Sequence, residues 1–140
     1  MKISKKVTSI IILALLASII IWGYLRKIDS ISKLRKNYLL ITGDITDIWV
    51  QHKSGNWYAK YQFQYLGQHY TGEREISGIS SSNAFKFFKG KNFPILVDTT
   101  DPSNNAILAT PFHFEKMEWP LPDSLEWVRK YYSHNFWADW

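Results

Sequence analysis

The chain contains no cysteine, and its four histidines lie far apart. Without cysteine the protein has no disulfide bond, no thiolate zinc site and no cysteine nucleophile. The histidines form neither HxxxH nor HExxH, so we interpret all four as surface residues and expect no metal site. The serines at residues 80–82 lack the GxSxG context of a hydrolase, and a helix cap explains them. The sequence therefore predicts a protein that is not an enzyme and has no cofactor.

Excess basic charge is absent from most of the chain. The formal net charge is +5, but residues 1–36 hold eight Lys or Arg against one acidic residue, whereas residues 37–140 hold nine against eleven. A nucleic-acid-binding domain needs basic residues clustered on the domain itself, so we expect no nucleic-acid partner. Lys and Arg beside an apolar segment are typical of contacts with anionic lipid headgroups.

One long run without any charge is present at residues 7–25, VTSIIILALLASIIIWGYL. A helix of that length rises about 28 Å, close to the ~30 Å hydrocarbon core of a bilayer. The run is longer than a signal-peptide core and lacks a small-x-small cleavage site. Trp22 and Tyr24 lie at its C-terminal end and Arg26 follows it, which is typical of a membrane interface. The sequence predicts a retained transmembrane signal-anchor over residues 1–26, with the lipid bilayer as its partner through residues 7–25.

Positive charge flanks this run on both sides, so the positive-inside rule is nearly balanced. Lys2, Lys5 and Lys6 precede the run, and five basic residues follow it before residue 37. A short basic N-terminus before an apolar segment is typical of signal-anchors that keep the N-terminus inside the cell. We therefore predict a single-pass protein of the inner membrane with an extracytoplasmic soluble domain.

Residues 27–38 are a predicted juxtamembrane amphipathic linker. Ile28, Ile31 and Leu34 recur at three-residue spacing among cations, which is compatible with a helix or with a plain linker. The period changes at residue 39, where a run rich in Ile, Thr and Val predicts a strand and opens a β-rich domain over residues 39–110.

Residues 57–65 show the clearest strand pattern in the chain, because apolar and polar side chains alternate. One face of this strand is formed by Trp57, Ala59, Tyr61, Phe63 and Tyr65. We interpret this aromatic face as core rather than as a surface that stacks sugars or bases. A turn at Gly67-Gln68 returns a third strand, so the first three strands are predicted to form an antiparallel meander. On the third strand, Glu73 and Glu75 are interpreted as solvated polarity rather than as catalytic carboxylates.

A serine and asparagine cluster before AFKFFK and Gly90 predicts a short helix. We expect Phe85 and Phe88 to face the sheet and Lys86 and Lys89 to face solvent. KNFPILVDTT then predicts a strand in which Pro94 marks either a sheet edge or the start of the strand. A short closing strand, AILA, follows.

The turn between these two strands contains a motif formed by Asp98, Asp101, Pro102 and Asn104. Its oxygens lie at loop spacing, but the loop lacks the glycine and the distal glutamate of a calcium hand. An aspartate that bonds the backbone ahead and a proline that presets φ are typical of a turn. We therefore interpret the motif as a hydrogen-bonded turn.

A longer pattern runs over residues 43–108. A YxFxYLGxxY strand pair precedes the serine-led helix, and the run GxxFxIxVDxxDPSNNAIL follows it. This order resembles the bacterial membrane-anchored family of unknown function numbered thirty-five ninety-two. Asp101-Pro102 matches the turn of that family, whereas Thr100 stands where Tyr is common and Asn105 replaces a second Pro. The resemblance implies a fold and membrane attachment, and it implies no known activity.

Residues 111–140 are a predicted aromatic-rich helical tail. An irregular link is delimited by Pro111, Pro120 and Pro122. The spacing of Asp123 and Glu126 predicts a helix that starts with a capping box. The candidate interaction residues of this tail are Trp119, Trp127, Trp137 and Trp140. Such a tail either packs on the sheet or lies on lipid, where Trp prefers the interface.

These observations predict an α+β protein: an N-terminal transmembrane helix, then a small antiparallel β-sheet domain with one short helix and a C-terminal helical tail. The absence of a catalytic constellation favours a non-catalytic, membrane-anchored module that binds a protein partner at the bacterial cell envelope. The alternative is an immunity or inhibitor protein that neutralises a toxin at the inner membrane.

Overall fold

The computed structural model describes residues 5–51 and 57–133. The chain forms two compact units, Met1–Lys36 and Asn37–Trp140. The first unit contains a helix, and the second contains a five-stranded antiparallel sheet with short helices. This arrangement confirms the predicted α+β class.

The first unit is one continuous helix, α1 (Lys5–Lys36). Its segment Ile10–Asp29 is long and apolar enough to cross a membrane, and none of that segment is buried inside the protein. The Ser18 hydroxyl donates to the Ala14 carbonyl at 2.8 Å, so this polar group is satisfied within the helix. The helix runs on through most of the predicted linker, up to Lys36, which agrees with the helical interpretation of that segment.

The second unit is built on a sheet of five strands, which are β1 (Tyr38–Val50), β2 (Trp57–Tyr65), β3 (Gln68–Ile76), β4 (Asn92–Asp98) and β5 (Asn105–Ile107). Their order in the sheet is β3-β2-β1-β4-β5. β1 pairs with β4 over residues 38–44 and with β2 over residues 43–50. A shift of register between Ile45 and Asp47 marks a bulge, which lets this long strand bend between its two partners.

The alternation of β2 produces the core, as the sequence predicts. Trp57, Ala59, Tyr61 and Phe63 are all buried, whereas the residues between them face outward. The Trp57 indole N–H donates to the Ile79 carbonyl at 2.7 Å, which satisfies its polar atom in the interior. The aromatic face of β2 is therefore core and is closed to sugars or bases.

Strand β4 is an interior strand, because β1 and β5 flank it. Pro94 lies opposite Thr42 of β1, and its carbonyl accepts from the Leu108 N–H at 2.8 Å. The N–H and C=O of one residue point to the same side of an antiparallel strand, so the imide nitrogen of Pro94 also faces away from β1. The β1–β4 ladder consequently loses no hydrogen bond to the proline.

Helix α2 (Ser81–Phe87) is capped by Ser80, whose hydroxyl accepts from the Asn83 N–H at 3.4 Å. Ala84 and Phe88 are fully buried, whereas Phe85 is 47% exposed. The expectation that Phe85 faces the sheet is therefore wrong. Positions four apart lie on one face of a helix, so Ala84 and Phe88 share the buried face, and Phe85 is rotated about 100° from Ala84.

The described part of the tail contains short helices that pack on the sheet. They are α3 (Pro111–Lys116), a 3₁₀ turn (Asp123–Leu125) and α4 (Glu126–Arg129). Phe114, Leu125 and Val128 are buried in the same core as the strands. The predicted box between Asp123 and Glu126 does not form: the 3₁₀ turn has no side-chain cap, and Glu126 instead pairs with the guanidinium of Arg129 at 2.8 Å.

Candidate functional site

The predicted turn motif is held together by its own hydrogen bonds. Asp98 is fully buried, and its carboxylate accepts from the Thr100 hydroxyl at 2.6 Å, the Thr100 N–H at 2.9 Å and the Asn104 amide at 3.3 Å. The hydrogen bonds from Thr100 lower the pKa of Asp98, and the bond from the Thr100 hydroxyl has the largest effect. The carboxylate therefore serves as an ionised acceptor that shapes the turn.

Asp101 and Pro102 complete this turn. The Asp101 carboxylate accepts from the Ser103 N–H at 3.1 Å, and the Pro102 carbonyl accepts from the Asn105 amide at 3.0 Å. Donors inside the turn thus bond to both carboxylate oxygens of Asp98, to Oδ1 of Asp101 and to the Pro102 carbonyl. In the part of the chain that the structure describes, no group of three His, Asp or Glu is placed to hold a metal ion.

Two of the predicted interaction tryptophans pack against the core. Trp119 lies half-buried against Tyr38, with ring centroids 5.2 Å apart. Trp127 lies against Phe88 at 5.2 Å in an edge-on arrangement. Trp137 and Trp140 lie outside the described residues. Trp119 and Trp127 thus contribute to packing, and only part of each ring remains on the surface.

A polar cluster lies on the interior face of the sheet, where the sequence does not predict one. Tyr61 donates to the Asn105 side-chain oxygen at 2.8 Å, and Arg74 donates to the Ile107 carbonyl at 2.9 Å. The Tyr61 bond joins β2 to β5, and the Arg74 bond joins β3 to β5. β3 and β5 are the two edge strands of the sheet, and they contact each other. A Cβ at Gly72 would collide with Asn105 and Tyr61, so the absence of a side chain there permits this approach.

Burial perturbs the titration of this polar cluster. It raises the pKa of Tyr61 to about 12, and it lowers the pKa of Arg74. Arg74 pairs with no carboxylate among residues 5–51 and 57–133. The cluster thus has the chemistry of a structural hydrogen-bond network, with each of the two donors bonded to β5.

His113 is buried, so the expectation that every histidine lies at the surface is wrong for this one. Its Nδ1 accepts from the Ala109 N–H at 3.0 Å. Burial, followed by the nearby charges of Arg74 and Lys116, holds the pKa of His113 well below its usual range. The ring is therefore neutral at pH 7, and its proton lies on Nε2. His69 is exposed, and His52 and His134 lie outside the described residues.

The outer face of the sheet carries charged residues and one aromatic pair. Trp49 and Tyr58 are stacked with ring centroids 4.5 Å apart. The buried Trp49 indole N–H meets no acceptor in residues 5–51 and 57–133. Glu73 lies 4.0 Å from the Lys60 ammonium, and Glu75 accepts from the Tyr58 hydroxyl at 3.3 Å. Each predicted solvated glutamate thus faces outward with a partner on β2.

A second aromatic pair lies between α2 and the end of α4, and we call it the Phe87–Tyr131 surface. The two rings are stacked at 4.4 Å with 21° between their planes, and both are only half-buried. The Lys86 ammonium lies 5.2 Å from the Phe87 centroid, and that of Lys130 lies 5.7 Å from the Tyr131 centroid. Both lysines are exposed, and neither pairs with a carboxylate among the described residues. This surface therefore combines aromatic area with positive charge that no carboxylate of the described residues compensates.

An open cleft of about 390 Å³ is lined by Pro111, Glu115, Arg129 and Tyr132. It contains none of the carboxylates of the turn motif, and no histidine lines it among the described residues. Arg129 is already paired with Glu126. Among the described residues, the titratable groups that line the cleft are thus Glu115, Arg129 and Tyr132.

No protein-family model, curated protein or solved structure matches the chain. The resemblance of residues 43–108 to the membrane-anchored family numbered thirty-five ninety-two accordingly stays a prediction.

Proposed function

We propose that this chain is a single-pass membrane protein of the bacterial envelope whose folded unit binds another protein through the Phe87–Tyr131 surface. The observation that carries the proposal is a half-exposed aromatic stack with a lysine at each ring, neither of which has an acidic partner among residues 5–51 and 57–133. Aromatic residues are enriched at the centres of protein interfaces, where they bring a large contact area at low conformational entropy.

Membrane anchoring is supported by α1. Its segment Ile10–Asp29 has no side chains buried by the rest of the protein, although many of them are Ile or Leu. A bilayer is the environment that would remove such side chains from water. In our proposal the helix keeps its basic N-terminus in the cytoplasm, and the folded unit lies outside the inner membrane.

A non-catalytic role is supported by the way the interior polar groups are used. The Tyr61 hydroxyl, the Arg74 guanidinium and His113 Nδ1 each bond to a group of the protein itself. General acid–base catalysis needs a titratable group within reach of a substrate, whereas these groups lie inside the fold.

Photo-crosslinking in living cells tests the proposed binding. A benzophenone amino acid replaces Asn83, which lies one helical turn before Phe87 on the same face of α2, and the membranes are analysed for covalent adducts after irradiation. We expect an adduct of defined mass that is lost in Tyr131→Ala. Tyr70→Ala is the matched control, because Tyr70 is also a half-buried tyrosine stacked on a phenylalanine, Phe63 at 5.5 Å. Absence of an adduct, or an equal loss in both variants, would contradict the proposal.

A further inference from the structure

The lysines of the Phe87–Tyr131 surface differ from Lys60 and Lys89, two other lysines of the folded unit. Lys60 faces Glu73 at 4.0 Å and Lys89 pairs with Asp47 at 2.9 Å. Lys86 and Lys130 have no such partner in the described chain, and each lies over an aromatic ring within the range of a cation–π contact. The nearby Glu126 is already held by Arg129. The positive charge at this surface is therefore local, since residues 37–140 carry more acidic than basic residues.

We propose that the partner presents a short acidic segment to the Phe87–Tyr131 surface, with one carboxylate at Lys86 and another at Lys130. This inference rests on the proposed function and names the chemistry of its partner. Carboxylates match the donor-only ammonium groups, and the apolar part of the segment lies across the two stacked rings.

The length of this segment follows from the geometry. The three successive distances, from the Lys86 ammonium to the Phe87 centroid, to the Tyr131 centroid and to the Lys130 ammonium, limit the ammonium separation to about 15 Å. An extended chain spans about 3.3–3.6 Å per residue, so roughly five residues cover that distance. The segment therefore needs two acidic residues no more than about four positions apart.

The same surface fits a protein segment better than a membrane or a nucleic acid. A membrane-binding face needs apolar side chains that point into the lipid, whereas here the lysines lie over the two rings. A nucleic acid needs an extended basic track, and the described surface offers two unpaired cations around one aromatic stack.

The test uses the full-length protein in nanodiscs of neutral phosphatidylcholine. The probe is a fluorescein-labelled peptide of about ten residues that alternates Glu and Gly, which places carboxylates within the required spacing. A peptide that alternates Gln and Gly is its control, and fluorescence anisotropy measures binding. We expect the Glu peptide to bind and the Gln peptide not to bind. Lys86→Gln with Lys130→Gln should weaken binding about tenfold or more, because the uncompensated charges are removed.

The matched control is Lys60→Gln with Lys89→Gln, which changes the net charge by the same amount at lysines that already have partners. It should change the affinity by less than about twofold. Equal effects of the two double variants, or no binding of the Glu peptide to the wild type, would overturn the inference. Protection of Lys86 and Lys130 from an amine-reactive reagent by phosphatidylglycerol in the disc, with no protection by the Glu peptide, would assign the lysines to lipid instead.

The failure of this inference can be told from failure of the proposed function. If the Asn83 adduct persists in cells when Lys86 and Lys130 are both replaced by Gln, a protein contacts the surface without needing its charges. The binding proposal then stands and the acidic segment is excluded.

Discussion

At the scale of single residues, the interior polar groups show how a small sheet closes on itself. Arg74 and Tyr61 reach acceptors on β5, a strand of only three residues. Side-chain bonds thus supplement the few backbone bonds that so short an edge strand can make. The guanidinium of Arg74 is stable here because a carbonyl accepts from it and because the residue as a whole is only partly buried.

His113 gives the protein a dependence of stability on pH. Its pKa is depressed in the fold, so below about pH 6.5 the unfolded chain binds a proton that the folded chain excludes. The contribution of neutral His113 to the free energy of unfolding is fully present above about pH 6.5. It decreases as the pH falls towards the pKa of His113 in the fold, by at most about 1.4 kcal/mol per pH unit. We expect the urea midpoint of the detergent-solubilised protein to fall between pH 7.5 and pH 5.5, roughly the range where an ordinary histidine titrates.

Two histidine variants isolate this contribution. His113→Asn keeps an acceptor near the Ala109 N–H but removes the titrating ring, so its midpoint should depend less on pH. His69→Asn, at an exposed position, should keep the wild-type dependence. An unchanged dependence in His113→Asn would show that other groups produce it.

At the scale of elements, the strands were predictable where burial follows from a local pattern. The alternation in β2 depends on residues two apart, so the sequence alone identifies its core face. The Asp98 turn was equally accessible, because its donors and acceptors lie within six residues of each other. Local chemistry thus determined both elements.

The docking of α2 was predicted less well, because the two candidate phenylalanines lie three positions apart and the sheet selects only one of them. Ala84 and Phe88 fix the buried face, and Phe85 falls outside it. The hydrophobic pattern of so short a helix is compatible with more than one rotation about its axis. Only the position of the sheet decides among them.

A pair of variants tests this rotation of α2. Phe88→Ala should destabilise the protein by about 3–5 kcal/mol, because it opens a cavity against Phe93, Trp57 and Trp127. Phe85→Ala should change the unfolding free energy by less than about 0.5 kcal/mol, since its side chain is exposed. Urea unfolding followed by circular dichroism measures both. Comparable losses in the two variants would indicate that α2 is rotated differently.

At the scale of the whole molecule, the chain has two units, an apolar helix and a folded unit with its own core. The interior cluster of the second unit could not be predicted, because Arg74 and Tyr61 find their acceptors more than thirty residues along the chain. From the sequence alone, a charged residue on a strand is predicted to face solvent. Only the position of a distant strand, here β5, shows that Arg74 faces the interior. His113 was missed for the same reason, since its burial depends on contacts that its neighbours in sequence do not reveal.

The absence of cysteine makes the orientation of the second unit directly measurable. Thr71→Cys introduces a unique thiol at an exposed position of β3. If the folded unit lies outside the inner membrane, a membrane-impermeant maleimide should label this thiol in cells whose outer layer has been permeabilised. The cysteine-free parent is the control for background labelling. Labelling only after the inner membrane is disrupted would reverse the proposed orientation.

The two partner strands of β1, which are β2 and β4, are synthesised at different times. Tyr38 pairs with Asp98, whereas Val50 pairs with Trp57. The partner of the second half of β1 is therefore synthesised soon after β1, and the partner of the first half is synthesised much later. At about 5–20 residues per second, sixty residues take the ribosome roughly 3–12 s, whereas a hairpin forms in about 1–10 μs. During those seconds Leu39, Leu40 and Ile41 present an open apolar edge, which invites pairing with other chains. Aggregation during synthesis is therefore expected to begin at the first half of β1 and to end once β4 has emerged.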